Sequence, residues 1–312
     1  MSYRVYGLVL ASNLPLPELA AVAAPTNEDP DVRFRRAPLS CLYPDPPEWF
    51  MHWRMPSGEP WLSAARNDDG YLLRFHDHAD FVMDDGGREI VCRYWKEGAP
   101  ETLRHLLIDQ VMPLVLNLRG AEALHASAVL VDGGAVAFTG PTGSGKSTLA
   151  AELARAGHPV ISDDCLGVVD GGAAFEVVPA YPGLRLRSDA LHHLDLDEHP
   201  AQPVAEYTDK CRLTVEDSAA DPSRRRPLSA VFVLDDRCGA DAEAVVRELH
   251  PRDAAMELIR SAFRFEVEDR SMLERQLEFF TRVAAAIPVR RISAPRGLDR
   301  LPDLRRTILR SL

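Results

Sequence analysis

The first third of the chain contains short runs of mainly apolar residues, which are typical of strands. The runs are Trp61–Ala65, Tyr71–Phe75, Ala79–Met83 and Glu89–Trp95. Turns rich in Asp and Gly separate them, which is typical of antiparallel hairpins. A further strand is predicted at Val5–Leu10, whereas residues 20–60 show no sustained period and predict an irregular region. We therefore expect a mainly antiparallel β domain over residues 1–98.

After Pro100, apolar residues recur at helical spacing, which predicts a helix. Pro113 is expected to kink this helix and Gly120 to end it. Strands and helices then alternate. The predicted segments are strands at His125–Val131 and Gly134–Thr139, a helix at Ser147–Ala156, strands at Pro159–Ser162 and Ala230–Leu234, helices near Asp253–Phe263 and Ser271–Ala286, and a strand near Val289–Ile292. This alternation indicates an α/β catalytic domain over residues 99–312.

Composition narrows the class of protein. Of 312 residues, 46% are hydrophobic and 27% charged, as in ordinary globular proteins, and the net charge of −11 disfavours nucleic acid and anionic membranes as partners. The five cysteines form no CxxC pair, which argues against a disulfide framework or a zinc site. The beginning of the chain lacks the pattern of a signal peptide, and its longest apolar stretch is too short and too polar to span a bilayer. We expect a soluble, cytoplasmic protein.

The strongest chemical signal is a phosphate-binding P-loop between a predicted strand and a predicted helix. Its residues are Gly140, Pro141, Thr142, Gly143, Ser144, Gly145, Lys146 and Ser147, with Thr148 following. Glycines let the backbone wrap around phosphates, and the helix N-terminus adds partial positive charge. Lys146 is expected to reach the β- and γ-phosphates of ATP and the Ser147 hydroxyl to bind Mg²⁺.

An acidic pair, Asp163-Asp164, follows the next predicted strand. One carboxylate could hold Mg²⁺ and the other could accept a hydroxyl proton. Asp235-Asp236 is an alternative, because it also follows an apolar strand. Asp163-Asp164 is favoured because a right-handed crossover would place its strand parallel and adjacent to the P-loop strand.

The stretch from Leu124 to Asp164, with His125, the P-loop and the Asp pair in this order, resembles the kinase domain of HPr kinase/phosphorylase. The resemblance implies that Asp163 acts as general base toward a serine hydroxyl and that Asp164 assists the metal. It also implies that His125 lies near the phosphates, although a histidine satisfied at a strand end is an equally good interpretation.

Two departures from that family concern its reverse reaction. The bifunctional enzymes carry Glu where this chain has Thr148, and their phosphorylase signature has no counterpart, so phosphorolysis and HPr as substrate are not expected. The segments YGLVLASNLPLPEL, LHASAV, PGLRL and TDKCRL are more similar to stand-alone HPr-kinase-related proteins. Some of these proteins phosphorylate a lasso-peptide precursor on a serine, and the wider family suggests a homo-oligomer.

Cationic side chains form a second group of candidates. Lys210 and Arg212 are candidates for stabilising the transferring phosphoryl group, which suits fixed positive charge. Arg185 and Arg187 alternate along a predicted strand and share one face. For this second pair, contact with nucleotide or substrate is one interpretation, and a solvated strand face is the favoured one.

The function predicted from the sequence is transfer of the γ-phosphoryl group of ATP to a serine of a peptide or small protein. Two alternatives stay open: a small-molecule kinase on the same scaffold, and a regulator that hydrolyses ATP slowly and acts through a partner. The acceptor and the choice between ATP and GTP have no readable signal in the sequence.

Overall fold

A computed structural model describes residues 1–25, 28–37, 43, 45–46, 48–55, 57–68, 70–94, 100–181, 183–214, 224–235, 243–264, 269–295 and 297–312. Within these ranges the chain is a mixed α/β protein whose strands form three sheets. The predicted domain boundary between residues 98 and 99 lies outside the described residues, as does Trp95.

The first sheet contains eight strands within the described residues. They are β1 (Ser2–Val5), β2 (Leu8–Ser12), β3 (Val32–Ala37), β4 (Met51–Arg54), β5 (Pro60–Asn67), β6 (Gly70–Phe75), β7 (Ala79–Met83) and β8 (Glu89–Tyr94). Their order across the sheet is β1-β2-β3-β8-β7-β6-β5-β4. β3 runs parallel to β2 and β8, and the other neighbours are antiparallel.

Two predictions for this region were wrong. The predicted strand Val5–Leu10 is the centre of a hairpin, because Tyr6 and Gly7 adopt φ angles of 52° and 74° and reverse the chain. The region predicted to be irregular contains β3 and β4. In β3 the buried residues Val32 and Phe34 alternate with the exposed Arg33 and Arg35, so the period of two is only two residues long on each face.

The predicted helix after Pro100 forms in three parts: α1 (Pro100–His105), a π-helical turn over Leu106–Val111, and α2 (Met112–Leu118). Pro113 explains the interruption, since it has no N–H for the carbonyl of Asp109 and its ring would clash with that carbonyl in an α-helix. The apolar side chains of these helices pack in one cluster with those of the first sheet. A short 3₁₀ helix at Pro17–Val22 joins the same cluster.

The remaining strands form a second sheet of nine strands and a third of three within the described residues. In chain order they are β9 (Glu122–Leu124), β10 (Ala126–Val131), β11 (Gly134–Thr139), β12 (Val160–Ser162), β13 (Leu166–Asp170), β14 (Phe175–Val178), β15 (Gly183–Leu186), β16 (Ala201–Pro203), β17 (Cys211–Thr214), β18 (Arg226–Asp235), β19 (Val245–Glu248) and β20 (Val289–Ser293). The third sheet has the order β15-β17-β16. β18 lies between β11 and β20 and is parallel to both.

Helices cover both faces of the second sheet. They are α3 (Lys146–Arg155), α4 (Ser188–His193), α5 (Pro251–Ser261), α6 (Arg270–Ala286) and α7 (Leu301–Arg310). Along β11, Val136 and Phe138 pack with α3, α4 and α7, while Ala135 and Ala137 pack with α5 and α6. α7 was missing from the sequence prediction. Among the helices of the described residues, none is long and apolar enough to cross a membrane.

The prediction that the strand before the acidic pair lies next to the P-loop strand was wrong. β12, which precedes the acidic pair, is antiparallel to β10, and β10 in turn is antiparallel to β11. β12 therefore points in the same direction as β11 but lies one strand away from it. The strand that is adjacent and parallel to β11 is β18, which ends at Asp235.

Candidate functional site

The P-loop joins the end of β11 to the first residue of α3, as its sequence predicts. Gly140, Gly143 and Gly145 have φ angles of 140°, 83° and 92°, which favour glycine. A Cβ on Gly140 would lie 2.8 Å from the carbonyl oxygen of Leu234, so this glycine also permits close contact with β18. The Lys146 ammonium donates hydrogen bonds of 2.9 and 3.0 Å to the carbonyls of Gly140 and Pro141. The loop thus presents the helix N-terminus and a fixed ammonium group.

Asp163 lies against the start of α3 and is buried. Its Oδ1 accepts hydrogen bonds from the hydroxyls of Ser127 and Ser147, the latter at 2.9 Å. Its Oδ2 accepts one from the backbone N–H of Arg185 at 2.8 Å. The structure therefore brings the predicted acidic pair to the P-loop serine, although the strand order differs from the one predicted.

Asp164 differs from Asp163 in both conformation and surroundings. Its φ angle of 67° turns the chain sharply after β12, and its side chain lines the cavity beside the P-loop, which that of Asp163 does not. Burial and the charge of Asp164 raise the pKa of Asp163. Burial also opposes ionisation of Asp164, but Arg185 and Lys210 outweigh it and keep the pKa of Asp164 well below its ordinary value. The two neighbouring carboxyls thus have opposite pKa shifts.

Arg185, which the sequence interpretation placed on a solvated face, is buried beside the acidic turn. Its side chain is only 1% exposed, because β15 packs against the acidic turn. Its Nη1 donates to the backbone carbonyl of Asp163 at 2.7 Å, and its Nε lies 3.5 Å from Oδ2 of Asp164. Arg187, by contrast, is exposed and pairs with Asp209 at 3.4 Å. β15 ends at Leu186, so the expected alternation does not reach Arg187.

A cavity of about 570 Å³ opens beside the loop. Its polar lining is formed by the P-loop from Thr142 to Thr148 together with His125, Asp164, Arg185, Arg187, Asp189 and Lys210. Its apolar lining comes from β18, β20, α7 and the segment between β20 and α7: Leu234, Ile292, Ala294, Pro295, Leu298, Leu301 and Leu304. A cavity with both kinds of lining suits a phosphate chain and a nucleobase.

The remaining predicted residues separate into two groups. His125 lines the cavity between β9 and β10; burial and the nearby charge of Lys146 lower its pKa to about 4, so its ring is neutral near pH 7. Lys210 also lines the cavity. Arg212 does not line it, because its guanidinium donates to Glu18 at 2.7 Å and lies 3.5 Å from Asp109.

The donor atoms near the P-loop fit Mg²⁺, although no group of three or more His, Cys, Asp and Glu side chains that could hold a metal exists among the described residues. The hydroxyl of Ser147 and the carboxylates of Asp163 and Asp164 are hard oxygen ligands. Mg²⁺ commonly takes one or two carboxylates and completes its shell with water and substrate phosphates. Of the alternative pair, Asp235 ends β18 and Asp236 lies outside the described residues.

Fold and site together define an α/β protein that carries a phosphate-binding P-loop next to a buried acidic turn. No protein-family model matches the chain, and no curated protein matches it. Among solved structures, the chain is similar to the HPr(Ser) kinase/phosphatase from Coxiella burnetii, with 15% identity and a TM-score of 0.32. The similarity covers 61% of this chain and 97% of the other. That TM-score is too low to establish a common fold. The function of this chain therefore has to be inferred from its own residues.

Proposed function

We propose that this protein is a kinase that transfers the γ-phosphoryl group of ATP to a serine hydroxyl of a peptide or small protein in the cytoplasm. The observation that carries the proposal is the acidic turn: Asp163 is hydrogen-bonded to the P-loop serine Ser147, and Asp164 faces the cavity. A P-loop with two carboxylates can hold a nucleotide and also receive an acceptor hydroxyl.

The P-loop and Asp163 form the phosphate and metal side of the site. Backbone N–H groups of the loop and Lys146 bind the phosphates, while Ser147 and Asp163 would hold Mg²⁺. The metal, when bound, neutralises charge on the β- and γ-phosphates. Asp163 suits this part because it accepts a hydrogen bond from Ser147, which lines the cavity.

Asp164 is then a better candidate than Asp163 for the general base that acts on the acceptor hydroxyl. It lines the cavity and can receive a hydroxyl proton as the acceptor oxygen bonds to the γ-phosphorus. The bond from that phosphorus to the β–γ bridging oxygen breaks, and ADP leaves. Because this transition state is loose, a weakly basic carboxylate is sufficient, and orientation of the hydroxyl contributes most. Lys210, which also lines the cavity, supplies positive charge.

The test uses ATP labelled in the γ-phosphate and Mg²⁺, with serine-containing peptides, HPr and common metabolites as acceptors. Wild type is compared with Lys146→Ala, Asp163→Asn and Asp164→Asn. We expect label on a peptide serine, lost in all three variants, while Asp164→Asn still binds ATP. Asp170→Asn, which removes an exposed carboxylate paired with Arg282, is the matched control and should retain transfer.

Each alternative has its own outcome in this assay. Label on a metabolite alone would identify a small-molecule kinase. Free phosphate as the only product, released also by Asp164→Asn, would refute transfer and indicate a regulator that hydrolyses ATP. Label lost in Asp163→Asn but retained in Asp164→Asn would return the general-base role to Asp163.

A further inference from the structure

Arg185 is a buried cation with several acceptors around it. Its Nη1 donates to the carbonyl of Asp163, and its Nη2 donates to Asp109 at 2.5 Å and to the hydroxyl of Tyr181. Its backbone N–H holds Oδ2 of Asp163. One residue of β15 therefore fixes both the carboxylate and the main chain of the acidic turn.

Asp109 is the main counter-charge of Arg185 and comes from a distant part of the chain. Its side chain is fully buried within the π-helical turn that Pro113 imposes. It also accepts a hydrogen bond of 2.8 Å from His105. A buried guanidinium without a counter-ion is costly, so Arg185 depends on Asp109 for its position. Although burial opposes ionisation, Arg185 keeps the pKa of Asp109 below its ordinary value.

The ion pair reaches the acidic turn directly, and Arg185 also lines the cavity beside the P-loop. Asp109 contacts Arg185, and Arg185 contacts both residues of the acidic turn. Asp164 has a φ angle of 67°, a left-handed conformation that Asp tolerates better than most residues but that still gains from support by its surroundings. Arg185 provides that support from the strand packed against the turn.

We propose that Asp109 and Arg185 are positioning residues for phosphoryl transfer: their buried ion pair holds the Asp163-Asp164 turn in its reactive geometry. The expected effect on kcat rests on the proposed kinase function. The expected effect on metal affinity does not depend on phosphoryl transfer. Loss of the pair should impair kcat and metal affinity while sparing the P-loop's affinity for nucleotide.

The experiment compares Asp109→Asn with Asp80→Asn in the full-length protein. Asp80 forms a comparably buried ion pair with Arg74 at 2.9 Å within the first sheet, so its loss controls for general destabilisation. For Asp109→Asn we expect kcat to fall about a hundredfold, the cost of a misplacement near 1 Å. KM for ATP and the affinity for ADP should match those of wild type. Asp80→Asn should keep wild-type kcat in its folded fraction.

A second readout is independent of transfer. Electron paramagnetic resonance measures Mn²⁺ affinity in the presence of a non-hydrolysable ATP analogue, and we expect Asp109→Asn to weaken it about tenfold or more, as lost outer-shell contacts do. Should this variant not fold, Arg185→Lys keeps the charge but loses the planar fork that joins Asp109 to Asp163, and the same losses are expected.

The outcomes separate the two proposals. Unchanged kcat and unchanged Mn²⁺ affinity in folded Asp109→Asn or Arg185→Lys would overturn the positioning role, as would equal losses in Asp80→Asn. If wild type labels no acceptor, the proposed kinase function fails, and the Mn²⁺ measurement still decides whether the ion pair holds the acidic turn.

Discussion

Replacing Gly140 by alanine tests whether the P-loop needs glycine for contact as well as for conformation. Gly140 has a φ angle of 140°, and an added Cβ would lie 2.8 Å from the main-chain carbonyl oxygen of Leu234. Gly157, just after α3, has a φ angle of 92° with no atom within 4 Å of an added Cβ. Gly157→Ala therefore carries only the conformational cost of a left-handed residue, about 1–2 kcal/mol.

Gly140→Ala carries a conformational cost of about 1–3 kcal/mol and the overlap in addition. The obstructing atom belongs to β18, which is hydrogen-bonded to strands on both sides and cannot turn away like a side chain. Overpacking of this kind costs about 1–3 kcal/mol, so the total is about 2–6 kcal/mol.

Urea unfolding followed by circular dichroism measures both variants, and calorimetric titration with ATP measures the functional consequence. We expect Gly140→Ala to lose more unfolding free energy than Gly157→Ala and to bind ATP more weakly, while Gly157→Ala keeps wild-type affinity. Equal losses of unfolding free energy in the two variants would refute the role given to the contact with Leu234.

Three further predictions concern pH, the nucleobase and the metal. Because the pKa of His125 is lowered from 6.5 to about 4 in the folded state, its stabilisation is present above pH 6.5 and is lost as the pH falls toward 4. Between pH 7 and 5, wild type should lose about 2 kcal/mol more unfolding free energy than His125→Gln, and parallel losses in urea titrations would contradict this. Leu304→Ala, in the apolar lining of the cavity, should weaken ATP binding by about 1–2 kcal/mol without changing pyrophosphate affinity; equal weakening of both would place the base elsewhere. Chelation of Mg²⁺ should stop labelling of the acceptor, and Mg²⁺ should restore it better than Ca²⁺, whose longer bonds suit a looser site; undiminished labelling in the chelator would contradict a metal requirement.

The sequence predicted those elements whose signal is local. β5 to β8 are short apolar runs between turn signals, and α5 and α6 follow the period of 3.6, each within a few residues of the structure. The P-loop was also predictable, because its motif requires a strand before it and a helix after it. β3 was missed because its alternation is brief, and α7 because its apolar positions follow a region rich in Pro, Arg and Gly.

What the sequence could not predict depends on contacts between distant segments. Arg185 in an isolated strand looks like a solvated residue, and only the packing of β15 against the acidic turn buries it. Its partner Asp109 lies 76 residues earlier in the chain, in a helix whose π turn has no sequence signal except Pro113. Such a pair is visible only once the tertiary structure is known.

The acidic pair lies beside the P-loop serine although the topology from which this was predicted was wrong. Asp163 was favoured because β12 was expected beside β11, yet β10 lies between them, which adds a strand spacing of about 4.8 Å. Ser127 of the intervening β10 donates to the same Oδ1 that Ser147 contacts from the start of α3. The inserted strand thus contributes a hydroxyl at the place where it separates Asp163 from the P-loop strand. The order of motifs along the chain predicted that Asp163 and Ser147 lie close together. In the structure, Ser127 of β10 joins their contact, although β10 separates β12 from the P-loop strand.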